Sequence, residues 1–356
     1  MTQAVKVKNR VLVHTTQLRP AKSIAKELEV FDVLKQLGRV LKRFGATRGD
    51  IAKLNFYVTD DKTAESVRVI ARQAFAGKQP AMAFVRTRLP SQVTVACDAV
   101  FATTKHAASR QVLLKQLENL PGKKGFSHAG ALPQGDVVYV SGQAARGNLA
   151  TATQDTLKGL LKTLRHLKLD RQHIVAVKTF MKPMSQVAIV DQEIQKFFKG
   201  KMVPPVSHVE WISGSLPIEI ELIAYAPPAK SKSTVTYLTP PWMRSSPVFS
   251  RVARIHGNER IYVAGLVARE SGNGKQQVES VFQSLKQTLA KAGSDVRHLA
   301  KATYYVADAD ASRQLNVLRP SIYDPKRPPA ASKAMVRGVA ASGRTLLIDI
   351  IAAPVR

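Results

Sequence analysis

The chain has 356 residues but only one cysteine, few acidic side chains and no long apolar segment. The single cysteine, Cys97, excludes a disulfide within the chain, which favours a cytoplasmic protein. No apolar run approaches the roughly 18 residues that a membrane-spanning helix needs, and the first residues lead into a predicted strand without a signal-peptide pattern. The eight histidines form no pair at metal-binding spacing, so we expect neither a metal nor another cofactor.

Acidic residues are outnumbered by basic ones, with 25 Asp and Glu against 54 Lys and Arg, and the formal net charge is +29. A surface this basic attracts polyanions without selecting a sequence. The basic residues are nevertheless spread along the chain, with no run of five and no recognisable nucleic-acid-binding motif. Two interpretations stay open: a charge that only keeps the protein soluble, and nonspecific binding of nucleic acid.

The dominant positive feature is an internal repeat. A proline and a small residue lead into a strand near Pro80, Pro204 and Pro329, and these prolines are 124 and 125 residues apart. Solenoid repeats are only roughly 20–50 residues long, so each repeat here should be a whole domain. We predict domains at 1–104, 122–226 and 242–356, called copies one, two and three, and linkers at 105–121 and 227–241. The first linker contains an apolar triplet that favours a short helix, whereas the second is predicted to be extended and polar.

Each copy predicts the same order of elements. Leucines spaced three and four residues apart, such as Leu157, Leu160 and Leu164, predict an amphipathic helix. That helix precedes a strand rich in aromatic and β-branched residues, and an alternating strand closes each copy. The pattern predicts an α+β fold written three times.

Several short motifs of the copies resemble those of the RidA/YjgF family of small imine deaminases. In copy two they are Phe126-Ser127-His128-Ala129, Ser141-Gly142-Gln143, Pro204-Pro205-Val206-Ser207, Leu216-Pro217 and Glu219-Ile220-Glu221-Leu222. In the other copies they are Pro80-Ala81-Met82-Ala83, Leu89-Pro90, Asn316-Val317-Leu318-Arg319-Pro320 and Pro329-Ala330-Ala331-Ser332. The joint order of these motifs carries the resemblance, since none is diagnostic alone.

The resemblance implies a chorismate-mutase-like fold and a trimer whose ligand clefts lie between neighbouring subunits. One chain with three copies would then fold as an intramolecular pseudo-trimer and remain a monomer, because tethering raises the effective concentration of the partners. The alternative is three independent domains that each trimerise between chains. No membrane association is expected.

The resemblance also implies two functional positions, and the chain departs from the family at most of them. The family's arginine, which binds a substrate carboxylate, is replaced by Met82, Val206 and Ala331. The family's glutamate, which positions the hydrolytic water, is present only as Glu219. The other two copies have Ala96 and Leu347 at that position.

Strand alternation suggests substitutes two residues further along, where side chains share a face with the lost arginine. His208 there could act as a general base oriented by Glu219, and Lys333 could hold an anionic ligand. The simpler interpretation is a structural or exposed histidine and a plain surface lysine.

Other candidate ligand-binding residues are Ser141, Gly142 and Gln143, which resemble the family's cleft-lining turn, and the aromatic residues Phe126 and Phe249. Glycine in that turn allows close approach of the backbone to a ligand. Packing alone explains these residues about as well.

Three functions follow as expectations. The first is a small-metabolite-binding protein whose clefts between domains are degenerate imine-deaminase sites. The second is an imine or enamine hydrolase that acts only through the cleft of copy two. The third is a basic RNA-associated or endoribonuclease-like protein.

Overall fold

The computed structural model describes residues 2–212 and 214–355 and contains three six-stranded sheets. The strands of copy one and the first linker are β1 Ala4–Lys8, β2 Val11–Thr15, β3 Ile51–Val58, β4 Ala81–Arg86, β5 Val95–Thr103 and β6 Leu113–Lys115. Those of copy two and the second linker are β7 Ala129–Leu132, β8 Asp136–Gln143, β9 Ile174–Met181, β10 Val206–Glu210, β11 Ile218–Ala226 and β12 Val235–Leu238. Those of copy three are β13 Val252–Ile255, β14 Glu259–Val263, β15 Leu266–Val267, β16 Leu299–Val306, β17 Ala330–Met335 and β18 Leu346–Ala352.

Each copy packs two helices on its own sheet. The helices are α1 Glu29–Arg43, α2 Asp61–Ala74, α3 Leu149–His166, α4 Val187–Phe197, α5 Gly274–Lys291 and α6 Ala309–Ile322. The predicted leucine stripe is buried, with Leu157, Leu160 and Leu164 at most 2% exposed. Three separate apolar cores result, one between helices and sheet in each copy. The expected α+β fold of three tandem copies is confirmed.

The three sheets share one strand order. They run β4-β3-β5-β2-β7-β6, β10-β9-β11-β8-β13-β12 and β17-β16-β18-β14-β1, with β15 also pairing with β18. In each sheet the strand after the first helix pairs in parallel with the strand after the second helix, and the other pairings are antiparallel.

The copies are joined because each one donates its first strand to a neighbouring sheet. β7 of copy two pairs with β2, β13 of copy three pairs with β8, and β1 of copy one pairs with β14. This exchange closes a ring, as the predicted pseudo-trimer requires. The linkers add the edge strands β6 and β12, so the expected helix in the first linker is wrong. The exact domain boundaries stay predictions.

Buried ion pairs between copies surround the centre of the ring. Lys53 Nζ of copy one lies 2.8 Å from Asp349 of copy three, and Lys301 of copy three lies 2.8 Å from Glu221 of copy two. Apolar clusters with residues of all three copies lie on either side of this layer. Removing one member of a buried pair leaves the other charge uncompensated, which is strongly destabilising. Arrangements of the copies that would separate these charges are therefore disfavoured.

No helix within the described residues is long and apolar enough to cross a membrane.

Candidate functional site

The junction of copies two and three forms a cleft of about 500 Å³, called here the Glu219 cleft. Copy two contributes the end of β8 and the start of β11, and copy three contributes β17, α6 and the segment before β13. The principal lining residues are Gly142, Gln143, Glu219, Phe249, Arg251, Arg319, Ala331, Ser332 and Lys333.

Gly142 makes room for the carboxyl group of Glu219. The β8–β11 ladder shifts register opposite Ser141 and Gly142, as a bulge does when it redirects side chains. A Cβ at Gly142 would lie 2.6 Å from Cγ of Glu219 and would overlap its carboxyl group. Glycine is therefore needed here for close packing against a side chain of its own copy, as well as for any approach of a ligand.

The carboxyl group of Glu219 has a raised pKa. Burial raises its pKa to about 7; the nearby carboxylate of Glu221 acts in the same direction, whereas Ser332, Lys301 and Arg251 oppose the shift. Oε1 is buried and has no hydrogen-bond partner among the described residues. A carboxyl group with this pKa can both accept and release a proton near neutral pH.

Two arginines that the sequence analysis did not assign to a site also line the Glu219 cleft. Arg251 stacks on Phe249, with its guanidinium carbon 4.8 Å from the ring centroid. Arg319 stacks on Tyr304 at 4.9 Å. The cleft lacks an arginine at position 331, but it does not lack guanidinium groups. Arg251 follows Phe249 by two residues, and Arg319 belongs to a family-like motif, so both had a sequence signal.

Lys333, Ala331 and Gln143 occupy this same cleft. Lys333 Nζ donates to Ser312 Oγ and to Asn316 Oδ1, each at 3.1 Å. The backbone N–H of Ala331 donates to Ser141 Oγ at 2.7 Å, which ties the two copies together. Gln143 donates to Thr163 Oγ1 within its own copy.

The junction of copies three and one forms a second cleft, of about 550 Å³, called here the Met82 cleft. It has the same construction with different side chains. Gly265 N donates to the Met82 carbonyl at 2.8 Å, and Leu347 lines the wall at the position of Glu219. Arg68 enters this cleft and stacks on Phe84 at 4.6 Å.

The junction of copies one and two is filled by a side chain, and is called here the Gln17 junction. Gln17 N donates to the Val206 carbonyl at 3.1 Å, and its Nε2 donates to the His208 carbonyl at 3.0 Å. Gln17 thus makes the backbone contact that Gly265 makes in the Met82 cleft, but adds a side chain. Val206 itself packs in the core of copy two.

His208 belongs to the Gln17 junction and does not meet Glu219. Its ring nitrogens lie 2.8 Å from Thr179 Oγ1 and 3.0 Å from Asp191 Oδ1. Burial alone would raise the pKa of Asp191, but the contacts with His208 and Lys123 outweigh burial and bring it to about 2. The predicted pairing of His208 with Glu219 is therefore not found. His208 on β10 faces the Gln17 junction, whereas Glu219 on β11 lines the Glu219 cleft.

Phe126 and Phe249 hold corresponding positions but have different surroundings. Phe249 lines the Glu219 cleft, whereas Phe126 packs against the helix–sheet core of copy two. No group of three or more metal-ligating side chains that could hold a metal ion occurs in the ranges 2–212 and 214–355.

Comparison with known families gives a match that covers more than half of the chain. The family model described as endoribonuclease L-PSP matches residues 118–226 and 244–354. No curated protein matches the chain.

Among solved structures, the chain is similar to a YjgF-family protein from Neisseria meningitidis, with 23% identity over 34% of this chain and 96% of that one, at a TM-score of 0.27. It is also similar to the Rid-family protein YyfB from Yersinia pestis, with 22% identity over 34% and 99% of the two chains and a TM-score of 0.31. Yeast Mmf1 is 21% identical over 34% and 100%, with a TM-score of 0.26.

Proposed function

Because the chain belongs to the endoribonuclease L-PSP family, and because its copies resemble the imine deaminases of that group, we propose that the Glu219 cleft binds and hydrolyses a small imine. The substrate carries a carboxylate, which the cationic side chains of the cleft hold. The other two junctions take no part in the chemistry.

The observation that carries the proposal is the state of Glu219. Its Oε1 is buried without a partner, and burial raises its pKa to about 7. Buried polar atoms in a protein interior normally have a hydrogen-bond partner. Glu219 has one with Ser332, but its Oε1 has none, and a carboxyl oxygen left without a partner inside a cleft, on a group with a raised pKa, is a candidate for function.

The reaction adds water across the C=N bond. The imine reacts in its protonated form. The Glu219 carboxylate accepts a proton from water as the new C–O bond forms, and the electron pair of the C=N bond passes to nitrogen, which becomes a neutral amine. The protonated Glu219 then donates its proton to this amine, and the C–N bond breaks as the hydroxyl group gives its proton to the carboxylate. Glu219 passes that proton to the departing ammonia, so one protonated imine and one water give one carbonyl compound and one ammonium ion. A group with a pKa near the working pH is suited to both steps.

The fixed cations supply the binding. Planar guanidinium groups bind carboxylates through paired hydrogen bonds, and Arg251 and Arg319 both border the cleft. They offer at other positions what the family's missing arginine would supply. A protein that binds a metabolite without hydrolysing it remains the alternative, and nonspecific binding of nucleic acid rests on net charge alone and stays a prediction.

The test measures keto acid and ammonia released from imines that an amino-acid oxidase generates in the same solution. We expect release above the rate in water alone, and a loss of about 100-fold or more in Glu219→Gln, in keeping with the usual contribution of general acid–base catalysis. Glu65→Gln makes the same chemical change beside the Met82 cleft and should keep full activity. Release that is absent for every imine, or equal in Glu219→Gln and the parent, contradicts the proposal.

A further inference from the structure

The Glu219 cleft contains more positive charge than one carboxylate requires. Arg251, Arg319 and Lys333 all line it, and Glu219 is its one acidic lining residue. Within residues 2–212 and 214–355, no Asp or Glu oxygen lies within 4 Å of the three cationic groups. Cations removed from water are costly unless an anion compensates them.

Two of these cations form one wall of the cleft. Arg319 Nη2 and Lys333 Nζ donate to the same acceptor, Asn316 Oδ1, at 2.8 and 3.1 Å. Arg319 also donates from Nε to the Leu315 carbonyl. Burial lowers the pKa of Lys333 and the charge of Arg319 lowers it further, whereas Glu219 raises it. Neutral acceptors thus hold two like charges side by side.

The third cation is held separately. Arg251 precedes β13, stacks on Phe249, and donates from Nε and Nη2 to the Arg244 carbonyl, each at 3.2 Å. Burial lowers the pKa of Arg251 and Glu219 raises it. Glu219 therefore interacts with both Arg251 and Lys333, although different segments of the chain hold these two cations.

Each cation has donors to spare. A guanidinium group has five N–H donors and an ammonium group has three. Arg251 uses two donors within the protein, Lys333 uses two, and Arg319 donates to Leu315 and Asn316 and also hydrogen-bonds to Tyr304. The remaining N–H donors lie on two separate walls of one cleft. Neutral protein groups therefore satisfy only some of the donors of each cation.

We propose that the ligand of this cleft carries two carboxylates, one bound by Lys333 and Arg319 and the other by Arg251. This inference rests on the proposed function, since it assigns that site its substrate class: imines derived from dicarboxylic amino acids. A cleft of about 500 Å³ is ample for a dicarboxylate of four or five carbons.

The experiment measures binding without turnover. Calorimetric titration of the Glu219→Gln variant compares 2-oxoglutarate, which has two carboxylates, with 2-oxobutyrate, which has one. We expect about tenfold tighter binding of the dicarboxylate, the effect of one added charge-assisted contact. Arg251→Gln should abolish most of this preference, whereas Arg68→Gln, the same change beside the Met82 cleft, should leave it intact.

Two outcomes overturn the inference. One is equal affinity for the two acids, and the other is a preference that survives Arg251→Gln. Tighter binding of phosphoenolpyruvate than of 2-oxoglutarate would also overturn it, because the second anionic group would then be a phosphate. These outcomes are independent of catalysis, so a failure of imine hydrolysis leaves the binding result interpretable.

Discussion

The Glu219 cleft and the Met82 cleft have the same framework but different side chains at corresponding positions. In each, a glycine near the end of one copy's front strand faces the strand after the second helix of the next copy. The Glu219 cleft has a carboxyl group beside that glycine, with cations on the facing wall. The Met82 cleft has Leu347 there, facing Met82 and Phe84.

The difference shows what joining three copies in one chain permits. In a homotrimer one substitution changes all three clefts at once, whereas here each cleft has its own residues. The glutamate that we propose to be catalytic can therefore be kept in one junction while an apolar residue, Leu347, occupies the corresponding place in another.

The Gln17 junction extends the comparison to a cleft that has closed. Gln17 occupies the place of the glycine and hydrogen-bonds to the neighbouring copy. His208 and Asp191 form a buried pair behind it. This junction holds the copies together and has no glutamate on its β5 wall, where Ala96 stands.

The largest expected effect comes from placing a methyl group on each glycine. Gly142→Ala should lower imine hydrolysis about 100-fold, because the new Cβ must displace the carboxyl group of Glu219. The flexible glutamate can move aside, so the free energy of unfolding should change little. Rates and urea unfolding curves of the purified variant measure both quantities.

Gly265→Ala is the matched control in the Met82 cleft. Its Cβ would lie 2.8 Å from Ala83 Cβ and 2.9 Å from Ala83 Cα, which cannot rotate away. We expect a loss of about 1–3 kcal/mol in stability from overpacking, with the hydrolysis rate unchanged. If Gly265→Ala lowered the hydrolysis rate and Gly142→Ala did not, the reaction would take place in the Met82 cleft.

The next largest expected effect is a loss of stability when the buried pair of the Gln17 junction is broken. Asp191→Asn should destabilise the protein by about 2 kcal/mol at pH 7, because the pKa of Asp191 is held at about 2 against an ordinary 3.8. A depressed pKa gives stability that is present above pH 3.8 and lost as the pH falls toward 2. The difference between variant and parent in urea unfolding should therefore shrink below pH 4.

Asp155→Asn is its control, since Asp155 pairs with Lys158 at 2.8 Å on an exposed helix face. Exposed pairs are worth at most about 1 kcal/mol. If Asp155→Asn lost as much stability as Asp191→Asn, the buried pair would contribute no more to stability than an exposed one.

A smaller loss is expected from opening the closed junction. Gln17→Gly removes the hydrogen bond to the His208 carbonyl and should cost about 1.5 kcal/mol, the sum of that bond and the added backbone freedom. Gln17→Ala separates the two contributions. Neither variant should gain hydrolytic activity at this junction, and a gain would mean that Glu219 is not the required group.

The repeats, the helices and the core strands were predictable because they depend on local spacing. The leucine stripes and the aromatic strands specify elements whatever their partners are. The donation of β1, β7 and β13 to neighbouring sheets was not predictable, because alternation along a strand does not say which strand it pairs with. The same limit explains the strand at Leu113–Lys115 where a helix was expected.

The candidate site was only half visible in the sequence. Glu219 stood at a position that the family resemblance marks, and strand alternation indicated Lys333, two residues beyond another such position; both line one cleft. Arg251 and Arg319 were missed because their role depends on which copy faces which. His208 was linked to Glu219 by position in copy two, but a site between copies takes its walls from different repeats.

The smallest expected effect has the opposite sign and tests the state of Glu219 directly. Its pKa of about 7 lies above the ordinary 4.5, so its contribution to stability is full below pH 4.5 and is lost as the pH rises through 7. Glu219→Gln carries no charge and escapes this loss. Between pH 5 and pH 8 the variant should therefore gain stability relative to the parent, by about 1 kcal/mol, since the open cleft screens part of the effect. Urea unfolding of the parent and of Glu219→Gln at both pH values measures the difference. A parent whose stability relative to Glu219→Gln rises with pH would mean that Glu219 is a paired, ordinary carboxylate and not a group held ready to exchange a proton.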